Sequence, residues 1–141
     1  MRHKRIVKKF GRSTSHRKAL MSSLVTNLIL ESSIKTTLAK AKQARKDAEK
    51  MVTLARKGTL ASRRLAAARL QQPKAVKKLF DNVVPLMEGR PGGYTRIVKL
   101  GRRRGDGTEM CILQWVDPAS TIAKVPVAEK AEKPAEEKAE A

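Results

Sequence analysis

The stretch YTRIVKLGRRRGDGTEMCILQWV, Tyr94 to Val116, decides what kind of fold this chain can have. Its flanks, YTRIVKL and TEMCILQWV, carry β-branched and aromatic residues in an alternating pattern, which reads as two strands. Between them lies GRRRGDG, with glycine at both ends and an Asp106-Gly107 step, the chemistry of a hairpin. In the first strand Ile97 and Lys99 fall on one face, and Tyr94, Arg96, Val98 and Leu100 on the other. In the second, Cys111, Leu113 and Trp115 alternate with Met110, Ile112, Gln114 and Val116. Both of its faces are apolar, so the second strand is predicted to lie at the centre of a sheet. A bare hairpin is marginal in water. The rest of the chain must therefore supply a cover and, through Ile34 in the β-branched run Ser33-Ile34-Lys35-Thr36-Thr37, a third strand.

Upstream, the apolar period changes from two to 3.6. Leu20, Leu24 and Leu28 run beside Met21, Val25 and Ile29, predicting a helix over about His16 to Glu31 with caps available from Ser13-Thr14-Ser15. A second helix begins after Thr36 or Thr37, either of which suits its cap. Its buried stripe is Leu38, Ala41, Ala44 or Ala48, Met51, Val52 and Ala55, and Gly58 ends it. Thr59 suits the cap of a third helix, with Leu60, Leu65, Ala61 or Ala68, and Leu70 inward and Arg63, Arg64 and Arg69 outward. Pro73 opens a fourth, lined by Val76, Leu79, Phe80, Val83 and Val84, and Pro85 is expected to close it. The fold class is α+β: about four helices on a small mixed sheet with a C-terminal β-hairpin. Once the helices cover the sheet, no self-complementary apolar stripe is expected to remain, so no obligate homo-oligomer is expected.

The ends differ in composition. Residues 1–14 form a basic arm, 15–118 the globular domain, and 119–141 an Ala/Glu/Lys/Pro tail with no periodic apolar face, predicted to be disordered. From Asp117 onward the charge is −2, so residues 1–116 carry +21 and the whole chain +19. Self-repulsion at that density opposes compaction, and a polyanion is the natural partner. Between Arg2 and Lys18 there is no acid, but there are Arg2, Lys4, Arg5, Lys8, Lys9, Arg12, Arg17 and Lys18, with His3 and His16. Arg17 and Lys18 fall in the first turn of a helix, where the dipole disfavours cations. A phosphate held there by Ser15, His16 and the helix N–H groups would reverse that penalty. Arg102, Arg103 and Arg104 at the hairpin tip cannot all pair with Asp106, and guanidinium forks suit phosphate oxygens. Lys40, Lys42 and Arg45 on the second helix and Arg63 and Arg64 on the third are further candidate contacts; the bland reading of each is a solvated face. Only four residues are aromatic, too few for a platform that stacks successive bases.

Catalysis finds little support. Both histidines sit among cations with no carboxylate to orient them. There is no CxxC, HExxH or other metal spacing, no nucleotide-binding glycine motif, and therefore no expected metal, cofactor or small-molecule substrate. The single cysteine, Cys111, excludes an internal disulfide and fits a reducing compartment. No apolar run reaches the roughly 20 residues of a membrane span. The expectation is a soluble, cytoplasmic, non-enzymatic protein.

Several segments occur together and in order: MRH, GRSTSHRKAL, SIKTTLAKAK, MVTLARKG, RRLAAARL, GGYTRIVKLGRRRGDG and EMCILQWVD. Over residues 1–117 the chain resembles the bacterial large-subunit ribosomal protein of the seventeenth family (L-seventeen). Many members carry an Arg-Asn pair where this chain has Ser22-Ser23. The resemblance implies an α+β domain bound to large-subunit rRNA near the polypeptide exit tunnel, with minor contacts to neighbouring ribosomal proteins. By position, it implies RNA-facing roles for Arg2 to Lys18, for Lys35, Thr36 and Thr37 with Lys40 and Lys42, and for Tyr94 and Arg96. The rival reading is a free DNA-architectural protein of the nucleoid. It shares the charge and the lack of catalysis but ordinarily needs a dimer.

Overall fold

The computed structural model describes residues 8–116. Helix α1 spans Thr14–Glu31, and the Ser13 side chain accepts a hydrogen bond from the His16 N–H at its start. Strand β1, Ser33–Thr37, leads directly into α2, Leu38–Ala55. Thr37 takes the N-cap position of α2 without a side-chain bond, so neither threonine caps through its hydroxyl as the sequence suggested. Helix α3, Leu60–Leu70, is capped by Thr59, which accepts from Ser62 N–H at 3.2 Å. Helix α4, Pro73–Lys78, runs on through a wide π-type turn, Leu79–Val83, into a last turn, Val84–Leu86. Pro85 therefore does not end this helix. Proline clashes with the carbonyl four residues back, here that of Asp81. In the wide turn the Val84 N–H bonds to Leu79 O, which opens the ladder where the ring must fit.

Strands β2, Thr95–Arg102, and β3, Glu109–Trp115, form the hairpin. The sheet order is β1-β3-β2, with the apolar β3 at its centre as its two faces required. Both pairings are antiparallel, so the sheet is not mixed. β1 and β2 run in the same direction, and a mixed sheet would need them adjacent; β3 separates them. Register places Lys35, Ile112 and Val98 in one row, and Thr36 beside Cys111 in another.

The core lies between the helices and one face of the sheet. Leu28, Ile29, Leu79 and Leu113 are fully buried, and Ala41, Ala44 and Ala48 let α2 approach its neighbours closely. Both Ala44 and Ala48 are inside. Trp115 joins the layers, its Nε1–H donating to the Leu28 carbonyl at 3.0 Å. Cys111 is buried, its thiol turned to the Thr36 carbonyl, and burial raises its pKa. It is a packing residue.

Helix α3 is rotated from the expected phase. Ser62, Ala66 and Leu70 face inward, while Leu60 and Leu65 are 65% and 56% exposed. Ser62 donates to the Thr59 carbonyl at 2.7 Å, so its hydroxyl is satisfied inside, and small residues bring the helix nearer than leucines would. The open face of the sheet keeps Val98 and Leu100 partly exposed.

Candidate nucleic-acid interface

The described residues contain seven acids, and only two ion pairs form among them. Arg45 pairs with Glu49 one helical turn on, at 3.1 Å, and Glu49 also accepts from the Thr95 hydroxyl. Arg103 clasps Asp106 with two bonds at the hairpin tip. Every other candidate cation in this region lacks an acid within ion-pair distance among the described residues.

Two clusters result. The first surrounds the start of α1. Lys9 to Arg12 form a turn closed by Arg12 N–H to Lys9 O at 3.2 Å, with Phe10 and Gly11 both at positive φ, 55° and 62°. Positive φ at a bulky aromatic residue is strained. The turn carries Lys8, Lys9 and Arg12 into α1, where Ser15, His16, Arg17 and Lys18 follow. Arg17 and Lys18 border a groove that α1 makes with α2 and α3; Lys50 and Arg69 complete its basic rim. The sequence had placed Lys50 and Arg69 among generic surface charge, because the approach of α3's end to α1 is a tertiary event. Ser22 secures that approach, donating to the Arg69 carbonyl at 2.7 Å, and Thr26 donates to the Leu70 carbonyl.

The second cluster lies at one end of the sheet. Thr37 pairs with Met110, so the end of β1, the start of α2 and the hairpin tip share that end. Lys40 and Lys42 in the first turns of α2 and Arg102 and Arg104 at the tip belong to the elements that meet there, while Lys35, paired with Ile112, lies farther along the open face. Gly105 and Gly107, at φ 97° and 60°, supply the left-handed backbone the tip needs. Asp106 organises it, accepting from the Thr108 N–H and hydroxyl as well as from Arg103. Those bonds hold its carboxyl well below the usual carboxylate range. A depressed folded pKa adds order that is complete above the ordinary carboxylate pKa and lost as pH falls further. Accordingly Asp106→Asn should speed exchange of the Gly107 and Thr108 amides at neutral pH, and the wild type should approach the same rates in strong acid. Equal rates in both proteins at neutral pH would contradict this.

Other candidates are placed differently. Tyr94 is buried, 2% exposed, and its hydroxyl accepts from Arg56 Nη1 at 2.9 Å. It precedes β2 and so escapes the strand alternation that had put it on the open face. Thr36 is buried as well. Arg96 lies on the open face against the Gln114 side chain, its Nε and Nη2 donating to the amide oxygen at 3.1 and 2.6 Å. Arg63 stacks on Phe80 with 4.7 Å to the ring centroid, and Arg64 is exposed. Arg2, His3, Lys4 and Arg5 lie outside the described residues, as does the tail 119–141. Among the described residues no three of His, Cys, Asp and Glu gather as metal ligands would, and no helix is long and apolar enough to cross a membrane.

A dense cationic surface with only two ion pairs among the described residues, on an α+β frame, presents the kind of charge that a polyanion complements. The family follows from comparison: the model of the ribosomal protein L17 family matches residues 20–116, and the chain belongs to that family. Proteins named large ribosomal subunit protein bL17 are similar over most of its length. That of Finegoldia magna is 50% identical over 111 residues, covering 79% of this chain and 85% of its own. That of Methylacidiphilum infernorum is 47% identical over 94% of this chain and 100% of its own, and that of Myxococcus xanthus 49% identical over 97% of each.

Proposed function

We propose that this protein is a non-enzymatic constituent of the large ribosomal subunit in the bacterial cytoplasm, where it binds and orders large-subunit rRNA near the peptide exit tunnel. The observation that carries the reading is the pair of cationic clusters, at the start of α1 and at the hairpin end of the sheet, with only two ion pairs among the described residues. The relatives' names supply the assembly, and the family resemblance supplies the tunnel side. The mechanism is charge neutralisation. Lys and Arg displace condensed counterions, and RNA segments then lie against a rigid frame. The arm, Arg2 to Arg12, threads between RNA segments, while Arg17, Lys18, Lys35, Lys40, Lys42, Arg102 and Arg104 hold phosphates from the domain. Arg63, Arg64 and Arg96 add peripheral contacts, and neighbouring ribosomal proteins make minor ones. Arg45 and Arg103 contribute less, because Glu49 and Asp106 already occupy them.

A salt titration of filter binding to transcribed large-subunit rRNA tests this. The log–log slope should fall by about 0.7 to 0.9 per phosphate contact, giving a steep total. A shallow slope of about one contact or less would contradict it. The tail has no place in this interface. Removing residues 122–141 should leave the protein in purified large subunits, detected by mass spectrometry; its loss from them would refute that expectation.

A further inference from the structure

The groove bounded by α1, α2 and α3 measures about 830 Å³. Arg17 and Lys18 stand on one wall, Lys50 and Arg69 on the others, and Ser15 and Ala68 leave room for a close approach. Asp47 also lines this groove, half-buried. It accepts no hydrogen bond and lies within ion-pair distance of no cation among the described residues. Burial raises its pKa against the pull of Lys50, Arg69 and Lys46.

Its neighbour Glu49 is tied to Arg45 and Thr95, and Asp106 to Arg103 and Thr108. Asp47 lines a basic groove with its carboxylate oxygens unpartnered among the described residues, and unlike the exposed Asp81 beside Arg63 and Lys77 it is half-buried. There it repels phosphate, and the protein offers it only the longer-range attraction of Lys50, Arg69 and Lys46, with no hydrogen bond. An ionised carboxylate only accepts hydrogen bonds, so an occupant that displaces water from it must supply the donor. Along a ribose–phosphate strand the donor beside each phosphate is the 2′-hydroxyl, which DNA lacks.

We propose that this groove takes one ribose–phosphate strand of RNA, with Arg17, Lys18, Lys50 and Arg69 on its phosphates and Asp47 accepting from a 2′-hydroxyl. The inference rests on the RNA-binding reading above and extends it: it adds Lys50 and Arg69 to the interface and assigns selectivity for RNA over DNA to one carboxylate.

The test is filter binding at fixed ionic strength, with an RNA hairpin and the same hairpin carrying 2′-deoxy sugars throughout. The full-length chain is compared with Asp47→Ala, Asp47→Asn and the double variant Lys50→Ala/Arg69→Ala, each checked for folding by circular dichroism. Wild type should hold the RNA about tenfold more tightly than the deoxy copy, the scale of one hydrogen bond to a charged group. Asp47→Ala should abolish that preference by losing RNA affinity. Asp47→Asn, which keeps an acceptor but no charge, should retain part of it. The double variant should weaken both complexes by similar factors. Equal binding of the two hairpins by wild type would overturn the proposal. So would Asp47→Ala tightening both equally, which would make the carboxylate a repelling charge only. A double variant that binds like wild type, while removal of the arm abolishes RNA binding, would overturn the groove and leave the RNA-binding reading standing. Wild type that binds RNA without salt dependence would bring down both.

Discussion

Removing residues 1–12 should leave a folded domain that has lost most of its hold on large-subunit rRNA. The folded part of the expectation comes from the start of α1. The helix begins at Thr14 with its own cap at Ser13, and among the described residues no core residue precedes Met21. The binding part comes from charge. The segment carries Arg2, Lys4, Arg5, Lys8, Lys9 and Arg12 and no acid. If all six meet phosphate, their loss flattens the log–log salt slope by about 4 to 5, and affinity at low salt falls by orders of magnitude. Circular dichroism should show an unchanged helical spectrum. Unchanged affinity in the truncated protein would remove the arm from the mechanism.

Trp115→Ala should have the largest effect on stability. The indole, at the end of the central strand, is 4% exposed and reaches α1 through its bond to Leu28. Truncating a buried aromatic side chain costs about 3–5 kcal/mol. A domain of this size has about 5–15 kcal/mol in total. Its thermal midpoint should fall by roughly 15 °C or more. Trp115→Phe keeps most of the packing and loses the hydrogen bond, so it should cost about 1 kcal/mol. A melt of the alanine variant within a few degrees of wild type would show that the layers do not depend on this contact.

The hairpin and the central place of β3 were legible in the sequence, because alternation in a strand is local and Cys111, Leu113 and Trp115 could only face a core. Helix α2 was legible for the same reason: its alanine and methionine stripe lies within one element. Helix α3 was not. Its leucines outweigh Ser62 and Ala66 in any hydropathy pattern, yet close approach selected the small residues, and Leu60 and Leu65 were left outside. The passage of α4 through Pro85 was hidden because the wide turn that accommodates it has no composition of its own.

The site divides in the same way. The cations of the arm, the start of α1 and the hairpin tip stood out as runs. Their grouping did not: the start of α2 meets the hairpin tip only through the pairing of Thr37 with Met110, and Arg17 meets Arg69 only because Ser22 holds α3 against α1. Conversely, Tyr94 looked available and is committed to the core beside Arg56.

The most direct measurement of the central claim is sedimentation of a cell lysate through a sucrose gradient, with the protein followed in every fraction. It should migrate with large subunits and remain there after a moderate salt wash that strips loosely held cations. A predominantly free pool, or one that sediments with chromosomal DNA, would contradict a ribosomal role.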